Sequence, residues 1–204
     1  MTEPLVFLDV DTQVDFMLPS GSLYVPGAEQ IVPNLRTLMA CAQERGIPII
    51  SSADAHSPDD PSFSEWPLHC VVGTPGQRRI PETELSSAVA VPNRPKAFHP
   101  GKHLEGQLIV EKQEYDVSTN ANFVAILSWL GPRRFVVFGV ATEYCVLSSV
   151  RTLRQRGLAV DLVVDAIRAI TEEGGRRALE EMTASGARLV RTAQVCGSET
   201  HLVA

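Results

Sequence analysis

Short apolar runs rich in β-branched and aromatic residues alternate with segments of helical periodicity along this chain. The runs are "LVFLDVD", "IPIISSAD", "SSAVAV", "QLIVEK", "RRFVVFGV", "LAVDLVVDA" and "ARLVRTAQV". The first is continuous rather than alternating, which is typical of a strand buried on both faces of a parallel sheet. Strand–helix alternation implies parallel strands joined by right-handed crossovers. The sequence therefore predicts an α/β fold, a three-layer αβα sandwich around a mostly parallel sheet, in a single domain over residues 1–204.

Helical periodicity is clearest between these runs. Apolar residues at helical spacing predict a helix over Ala28 to Arg45, ended by Gly46. A second helix is predicted over "TNANFVAILSWL", with Thr119 or Asn120 as its N-cap, and a third over "EEGGRRALEEMTASG". The segment from residue 55 to 107 is dense in Pro, Gly, Ser and His instead. A loop region of that length in a compact domain is more often functional than idle.

Composition excludes several classes of protein. A net charge of -6 over 204 residues provides no basic surface for nucleic acid and no polybasic patch for a membrane. No apolar run approaches the ~20 residues that span a bilayer. The N-terminus lacks a basic start and a cleavable apolar stretch, so no signal peptide is expected. The four cysteines show no C-x-x-C pairing or zinc-finger spacing. We therefore expect a cytoplasmic protein with free thiols.

Chemically useful side chains follow four of the predicted strands. Asp11 ends the first strand, Asp54 and His56 follow the second, Lys112 ends "QLIVEK", and Cys145 follows "FVVFGV". In a parallel sheet these strand ends lie at one edge, where ligands of α/β folds collect. The sequence therefore predicts that all five residues belong to one site.

Cys145 lies at the start of a helix predicted over Thr142 to Arg156. With Thr142 as N-cap, Cys145 occupies the first helical turn, where unpaired N–H groups and the helix dipole favour a thiolate. Taken alone, such a cysteine is more often a packed thiol. Cys41, Cys70 and Cys196 lack this setting, and packing is the interpretation for all three.

Two charged residues at strand ends, Asp11 and Lys112, are candidates to promote ionisation of a nucleophilic thiol. Asp11 is better placed as a base than Asp9 or Asp15, although an aspartate there could simply cap the following turn. Lys112 ends an otherwise apolar strand, where the ordinary interpretation is a solvated charge. If Lys112 is buried beside Asp11 and Cys145, its ammonium group favours the ionised forms of both.

The motif "ADAH" raises the separate possibility of a metal site. Asp54 and His56 are two residues apart, so on an extended chain their side chains share one side. A carboxylate and an imidazole suit a divalent transition ion, and "WPLHC" offers His69 as a third ligand. The Asp-x-His spacing alone is a weak signal. His99 and His103 lie in a Pro/Gly-rich loop and are interpreted as surface histidines.

Taken together, five stretches resemble the isochorismatase-like cysteine hydrolases, and within them the nicotinamidases. They are "DVDTQVDFMLPSGSLYVPGA", "ADAHSPDDPSF", "WPLHCVVGTPG", "VEK" and "GVATEYCV". The resemblance implies a catalytic triad of Asp11, Lys112 and Cys145. It also implies one divalent metal ion on Asp54, His56 and His69, zinc in the first place, with iron or manganese as alternatives.

The same resemblance implies further details of the site. A cis peptide bond between Val140 and Ala141 would direct the backbone N–H groups of Ala141 and Cys145 at a substrate oxygen. Phe16 and Trp66 are the candidates for the walls of the pocket. The implied reaction is hydrolysis of nicotinamide through a cysteine thioester.

Two departures from the family pattern bear on the substrate. Nicotinamidases usually have Trp between the metal-binding Asp and His, where this chain has Ala55, a change expected to reshape or open the pocket. The stretch after Lys112 reads "KQEYDVSTNANF", and the insertion "VPNRPKAFHPGKHLEGQ" precedes it.

Two alternatives therefore stand beside nicotinamide hydrolysis: another small amidase with a carbamoyl or ureido substrate, and a non-catalytic binding or redox-sensing protein with a reactive thiol. Isochorismatase chemistry is disfavoured because it does without the cysteine. The expected partners are a small amide and further copies of the chain in a homo-oligomer, with no nucleic acid and no membrane.

Overall fold

The computed structural model describes residues 4–99, 106–131 and 133–197, and these residues form an α/β domain. Its strands are β1 Leu5–Val10, β2 Ile49–Asp54, β3 Val89–Val91, β4 Gln107–Lys112, β5 Arg134–Val140, β6 Val160–Arg168 and β7 Arg188–Val190. Its α-helices are α1 Val14–Met17, α2 Val32–Arg45, α3 Phe123–Leu130, α4 Leu147–Gln155, α5 Glu172–Ala184 and α6 Thr192–Cys196. Each of the seven predicted strands is present, but the last predicted run, "ARLVRTAQV", is a strand only over Arg188–Val190, and its second half belongs to helix α6.

The strands form one sheet in the order β3-β4-β2-β1-β5-β6-β7. Every pairing between these strands is parallel, so the predicted architecture is confirmed. One core cluster joins the sheet to side chains of α3, α4 and α5, and a second joins it to α2 and α6. The helices thus cover both faces, which explains why the strands are apolar on both sides.

The register of the central strands decides which residues meet at the carboxyl edge. Val10 is paired with Ser52 on one side and with Gly139 on the other, and Asp54 is paired with Lys112. Residues that directly follow β1 and β5 therefore lie beside the last residues of β2 and β4. The pairing register of these strands therefore brings their last residues together at the edge predicted to hold the site.

Gly139 is required for the close approach of β5 to β1. Its φ is 118°, and a Cβ atom there would lie 2.1 Å from the carbonyl oxygen of Val10. Only glycine fits this position without moving the backbone. The peptide bond between Val140 and Ala141 is cis, as the family resemblance predicted.

Two predicted helix starts were wrong. Helix α3 has Asn122 as its N-cap, not Thr119 or Asn120. Asn120 Oδ1 accepts from the Asn122 N–H at 2.8 Å, and the Asn120 amide donates to the carbonyls of Val91 and Glu111 at 3.0 and 2.7 Å. The predicted helix over residues 142–156 begins as a π-helical turn, Thr142–Val146, and Ala141 precedes it as N-cap. The Val146 N–H donates to the Ala141 carbonyl five residues back, at 3.2 Å.

The long connection between β2 and β3 contains three short 3₁₀ turns, at Pro61–Ser64, Pro75–Gln77 and Pro81–Thr83. The predicted surface histidine His99 is exposed, and His103 lies outside the described residues. In the described part of the chain, no helix is long and apolar enough to cross a lipid bilayer.

Candidate active site

The five strand-end residues predicted to meet do meet at the carboxyl edge of the sheet. Asp11 follows β1, Asp54 ends β2, Lys112 ends β4, and Cys145 lies in the π-helical turn after β5. All four are buried, and the Lys112 side chain has no exposed surface. A lysine buried in this way is not the solvated charge that its position alone would suggest.

The Lys112 ammonium group is the centre of the site. Its Nζ lies 2.8 Å from Asp11 Oδ2 and 3.5 Å from Cys145 Sγ, and it donates a short hydrogen bond to Asp54 Oδ1. Cys145 and Asp11 also line the same pocket. One cation is therefore shared by two carboxylates and a thiol.

The charges of this cluster hold one another in place. Burial alone would lower the pKa of Lys112, but the carboxylates of Asp11 and Asp54 raise it well above its usual value. Burial would likewise raise the pKa of Asp54, but Lys112 and the two neighbouring histidines hold it below its ordinary range. The ammonium of Lys112 and the carboxylate of Asp54 are both ionised at neutral pH.

The nucleophile and its base have pKa shifts in the same direction. Burial raises the pKa of Cys145 well above that of a free thiol, against the opposing effect of Lys112. Desolvation of the buried thiol thus opposes Lys112 and the helix start, both of which favour the thiolate. Burial also raises the pKa of Asp11, while Lys112 and the Ser52 hydroxyl oppose the shift. Cys145 rests as a thiol and requires a proton acceptor beside it.

Asp11 has an unusual backbone and a dedicated hydrogen-bond donor. Its φ is 50°, a left-handed conformation that few non-glycine residues adopt. Its N–H donates to the Ser52 carbonyl at 3.3 Å, and the Ser52 hydroxyl donates to Asp11 Oδ1 at 2.6 Å. The other carboxylate oxygen faces Lys112.

A second cluster is formed by Asp54, His56 and His69. The Nε2 atoms of both histidines lie 3.7 Å from Asp54 Oδ2, and one ligand atom from each residue fits within 4.8 Å of the others. A zinc ion with bonds of about 2.0–2.1 Å separates tetrahedral ligands by roughly 3.4 Å. Small side-chain adjustments therefore place all three residues around one ion.

The proton positions of this cluster also suit a metal. His69 Nδ1 lies 2.7 Å from the Pro67 carbonyl oxygen, which places the proton of a neutral imidazole on Nδ1 and leaves Nε2 free for a metal. His56 Nδ1 lies 3.0 Å from a carboxylate oxygen of Asp60. In such a carboxylate–histidine pair the carboxylate orients the imidazole, and the other ring nitrogen is free to bind a metal. The donor set of one oxygen and two nitrogens fits a borderline divalent ion.

Asp60 was missed by the sequence reasoning. Its other oxygen accepts hydrogen bonds from the Ser62 N–H and hydroxyl at 2.9 and 2.6 Å. Partial burial raises the pKa of Asp60, but Ser62 and His56 outweigh it and lower the pKa to about 2. The signal that could have identified it is an acid four residues after a candidate ligand histidine.

A pocket with an empty volume of about 440 Å³ opens beside Cys145. Phe16 and Trp66, predicted as its walls, both line it, together with Tyr115 and Tyr144. The Trp66 indole donates to the Tyr115 hydroxyl at 3.0 Å, and the rings of Trp66 and Tyr115 both contact Tyr144. The two tyrosines were not predicted: Tyr115 lies outside any helix or strand and carries no periodic signal, and Tyr144 lies in the π-helical turn, whose geometry the sequence did not predict.

Ala55 is buried and is not among the residues that line this pocket. Its N–H donates to the Lys112 carbonyl at 2.9 Å. Its own carbonyl accepts from the side chain of Gln113, in the altered stretch after Lys112, at 2.9 Å. That the alanine reshapes or opens the pocket stays a prediction.

The proposed backbone donors both line the pocket, Ala141 as N-cap of the π-helical turn and Cys145 within it. The other three cysteines are packed thiols: Cys41 and Cys70 are buried, and Cys196 is half-buried. Burial raises the pKa of Cys70, so it is an inert thiol.

Comparisons with known proteins agree with this geometry. The family model described as the Isochorismatase domain matches residues 5–194. The nicotinamidase/pyrazinamidase of Mycobacterium tuberculosis is 30% identical, over 89% of this chain and 95% of that protein. The crystal structure of pyrazinamidase of Pyrococcus horikoshii in complex with zinc is 31% identical, over 92% of this chain and 98% of that chain, with a TM-score of 0.77.

A more distant structure shares the fold alone. The N-carbamoylsarcosine amidase of Thermoplasma acidophilum is 24% identical, over 94% of this chain and 97% of that chain, with a TM-score of 0.75. The family match spans the sheet from its first strand to α6, and the motifs that suggested the family lie together at one edge of that sheet. The chain belongs to the isochorismatase family of hydrolases.

Proposed function

We propose that this hydrolase cleaves the carboxamide of nicotinamide to nicotinate and ammonia through a thioester on Cys145. The observation that carries the proposal is the buried Lys112 ammonium, in contact with both the Asp11 carboxylate and the Cys145 sulfur beside an aromatic-walled pocket. The nicotinamidase and pyrazinamidase relatives at 30–31% identity support the substrate class.

The first half of the reaction forms the thioester. Asp11 accepts the thiol proton of Cys145 as the sulfur attacks the amide carbon. Lys112 offsets the negative charge on the sulfur during this transfer. The carbonyl oxygen becomes an oxyanion, for which the backbone N–H groups of Ala141 and Cys145 are the proposed donors.

The second half releases both products. Protonated Asp11 gives its proton to the nitrogen as the C–N bond breaks, and ammonia leaves. Asp11, again ionised, then accepts a proton from a water molecule that attacks the thioester carbon. The C–S bond breaks, the thiol regains its proton, and the carboxylic acid departs with the water oxygen.

Asp54, His56 and His69 are the residues that would hold a divalent ion, which would supply a Lewis-acid contact for the substrate ring nitrogen and for waters. Phe16 and Trp66 face the same pocket as His69, so a planar ring between them lies next to this cluster. Phe16 also packs against the His69 ring, with centroids 5.6 Å apart. These contacts favour a flat heteroaromatic amide.

The decisive experiment is ammonia release from a panel of amides, with metal content measured on the same protein. Nicotinamide should be turned over, and Cys145→Ala should be inactive. Turnover restricted to carbamoyl or ureido compounds would favour a different amidase of this superfamily. A chain that hydrolyses none of the amides, although its metal site is filled, would leave a thiol-bearing binding or redox-sensing protein.

A further inference from the structure

A second buried ion pair, Asp9 with Arg79, lies next to the triad and has no role in the steps above. The Asp9 side chain is fully buried and the Arg79 side chain nearly so. Arg79 comes from the long connection between β2 and β3, seventy positions along the chain from Asp9. Their contact therefore ties that connection to the central strand of the sheet.

Arg79 spreads its donors over residues that surround Asp11. One guanidinium nitrogen donates short hydrogen bonds to Asp9 Oδ2 and to the Thr12 hydroxyl. The other terminal nitrogen donates to the Ser52 carbonyl at 3.1 Å. Asp9 lies two residues before Asp11, Thr12 follows it, and Ser52 is its hydrogen-bond partner on β2.

The backbone on either side reinforces this connection. The Ile80 N–H donates to the Thr12 carbonyl at 3.0 Å, and the Val14 N–H donates to the Arg78 carbonyl at 2.8 Å. The Ser52 carbonyl receives both the Arg79 donor and the Asp11 N–H. The turn that holds Asp11 in its left-handed conformation is thus fixed from both directions.

Stability alone is a poor reason for such a pair. Well-packed apolar residues often replace a buried ion pair with no loss of stability. Apolar residues cannot, however, hydrogen-bond to Thr12 and Ser52 at once, as the planar fork of arginine does. The feature that needs arginine here is the set of directed contacts around Asp11.

We propose that Arg79, held by Asp9, is a positioning residue for the catalytic base: it fixes the turn at Thr12 and Ser52 so that Asp11 stays against Lys112 and Cys145. This inference rests on the proposed role of Asp11. It involves no contact of Arg79 with substrate, and Arg79 is not among the residues that line the pocket.

The test uses two variants and a matched control on the full chain. Arg79→Lys keeps the charge beside Asp9 and loses the fork. The double variant Asp9→Leu/Arg79→Met removes both charges, which protects folding if Arg79→Met alone does not fold. Arg78→Met is the control, since the neighbouring Arg78 side chain is exposed.

We expect the double variant to lose roughly 10–100-fold in kcat with KM changed less than about threefold, because a base displaced by an ångström slows chemistry more than binding. Arg79→Lys should recover part of the loss, and Arg78→Met should match the wild-type enzyme. A folded double variant with wild-type kcat overturns the inference, and so does an effect confined to KM or to the melting temperature.

Failure of the proposed function gives a different result from failure of this inference. If the wild-type chain hydrolyses none of the amides, the proposed function is wrong, and crystal structures of the wild type and the double variant then provide the test. The inference predicts that Asp11 Oδ2 moves out of hydrogen-bonding distance of Lys112 Nζ, from 2.8 Å. An unmoved Asp11 in the double variant overturns it.

Discussion

The triad and the metal-type cluster lie side by side, but they are built in different ways. Asp11, Lys112 and Cys145 are at or next to strand ends, and the register of β1, β4 and β5 brings them together. His56 and His69 lie on the connection between β2 and β3, where side-chain contacts hold their rings and a main-chain bridge to Val71 also holds His56. Asp54 connects the two groups, because it contacts Lys112 of the triad and both histidines of the metal-type cluster.

The difference has a consequence for how each cluster tolerates change. A strand end is held by main-chain hydrogen bonds on both sides, so replacing one triad side chain removes its chemistry and leaves the backbone in place. A loop position depends on a few polar contacts, such as Asp15 accepting from the Cys70 N–H at 2.7 Å next to His69. We therefore expect substitutions in the triad to affect rate and substitutions in the loop to affect metal affinity.

The largest expected effect comes from the nucleophile. Cys145→Ala should lower amide hydrolysis by about 10⁴-fold or more, because no thioester forms, with folding and metal content unchanged. Ammonia release measures the activity of the triad, and metal analysis measures whether the Asp54–His56–His69 cluster still binds its ion. Cys41→Ala, on α2, is the matched control and should keep wild-type turnover. Residual turnover in Cys145→Ala near that of the wild type would contradict the thioester mechanism.

Removal of the base should have the next largest effect. Asp11→Asn keeps the shape and loses the proton acceptor, so we expect a loss of roughly 10²–10⁴-fold in kcat. Metal content should be unaffected, because Asp11 is not in the Asp54–His56–His69 cluster. A variant that loses its metal together with its activity would show that the two clusters do not act separately.

Replacing His69 should affect the loop cluster alone. His69→Ala should lose bound metal and most nicotinamide turnover, while iodoacetamide still labels Cys145, because the Lys112 contacts stay intact. For the wild type, benzamide, which lacks the ring nitrogen, should be a far poorer substrate than nicotinamide. Equal turnover of the two amides would argue against binding of the ring nitrogen, and loss of Cys145 labelling would show that the triad depends on the loop.

The same difference explains what the sequence could predict. Lys112 and Cys145 could be assigned because each ends or follows an apolar run whose period identifies a strand. Arg79 and Gln13 could not, since their partners lie on other elements and no periodic pattern marks them, and Asp60 is marked only by its spacing of four residues from His56. Gln13 hydrogen-bonds both the N–H and the carbonyl of Asp54, at 2.7 and 2.9 Å, across 41 positions of chain.

Local signals also failed where a tertiary contact competed with them. Asn120 has the side chain of a helix N-cap and its oxygen accepts from the Asn122 N–H, but its amide ties it to the ends of β3 and β4, and helix α3 has Asn122 as its N-cap. The dipole argument for Cys145 left out burial, which raises the pKa of the thiol and depends on neighbours that periodicity does not reveal. The sequence predicted which residues lie near the site, but it did not predict how far each side chain is buried.

A smaller effect is expected from Asp60, which contacts a proposed ligand without being one. Asp60→Asn should weaken metal binding by roughly 10–100-fold, because His56 loses the carboxylate that orients its ring. Competition with a chelator measures the affinity without any assay of activity. Asp59→Asn is the matched control, since Asp59 is exposed. Equal affinity in the two variants would remove Asp60 from the site.

The smallest expected effect is a shift in pH dependence within the triad, caused by Ser52. The Ser52 hydroxyl donates to Asp11 Oδ1 and opposes the burial that raises the pKa of Asp11. Because Asp11 must be ionised to act as a base, kcat/KM falls as the pH drops through that pKa. Ser52→Ala removes a hydrogen bond to the charged form, so the pKa of Asp11 rises further. The acidic limb of the profile should then move to higher pH by about one unit, with the rate above the limb nearly unchanged. Ser128→Ala is the control, because the exposed Ser128 hydroxyl donates to the Val124 carbonyl of its own helix α3 instead. A limb that moves to lower pH, or moves equally in both variants, would mean that the acidic limb is not the titration of Asp11.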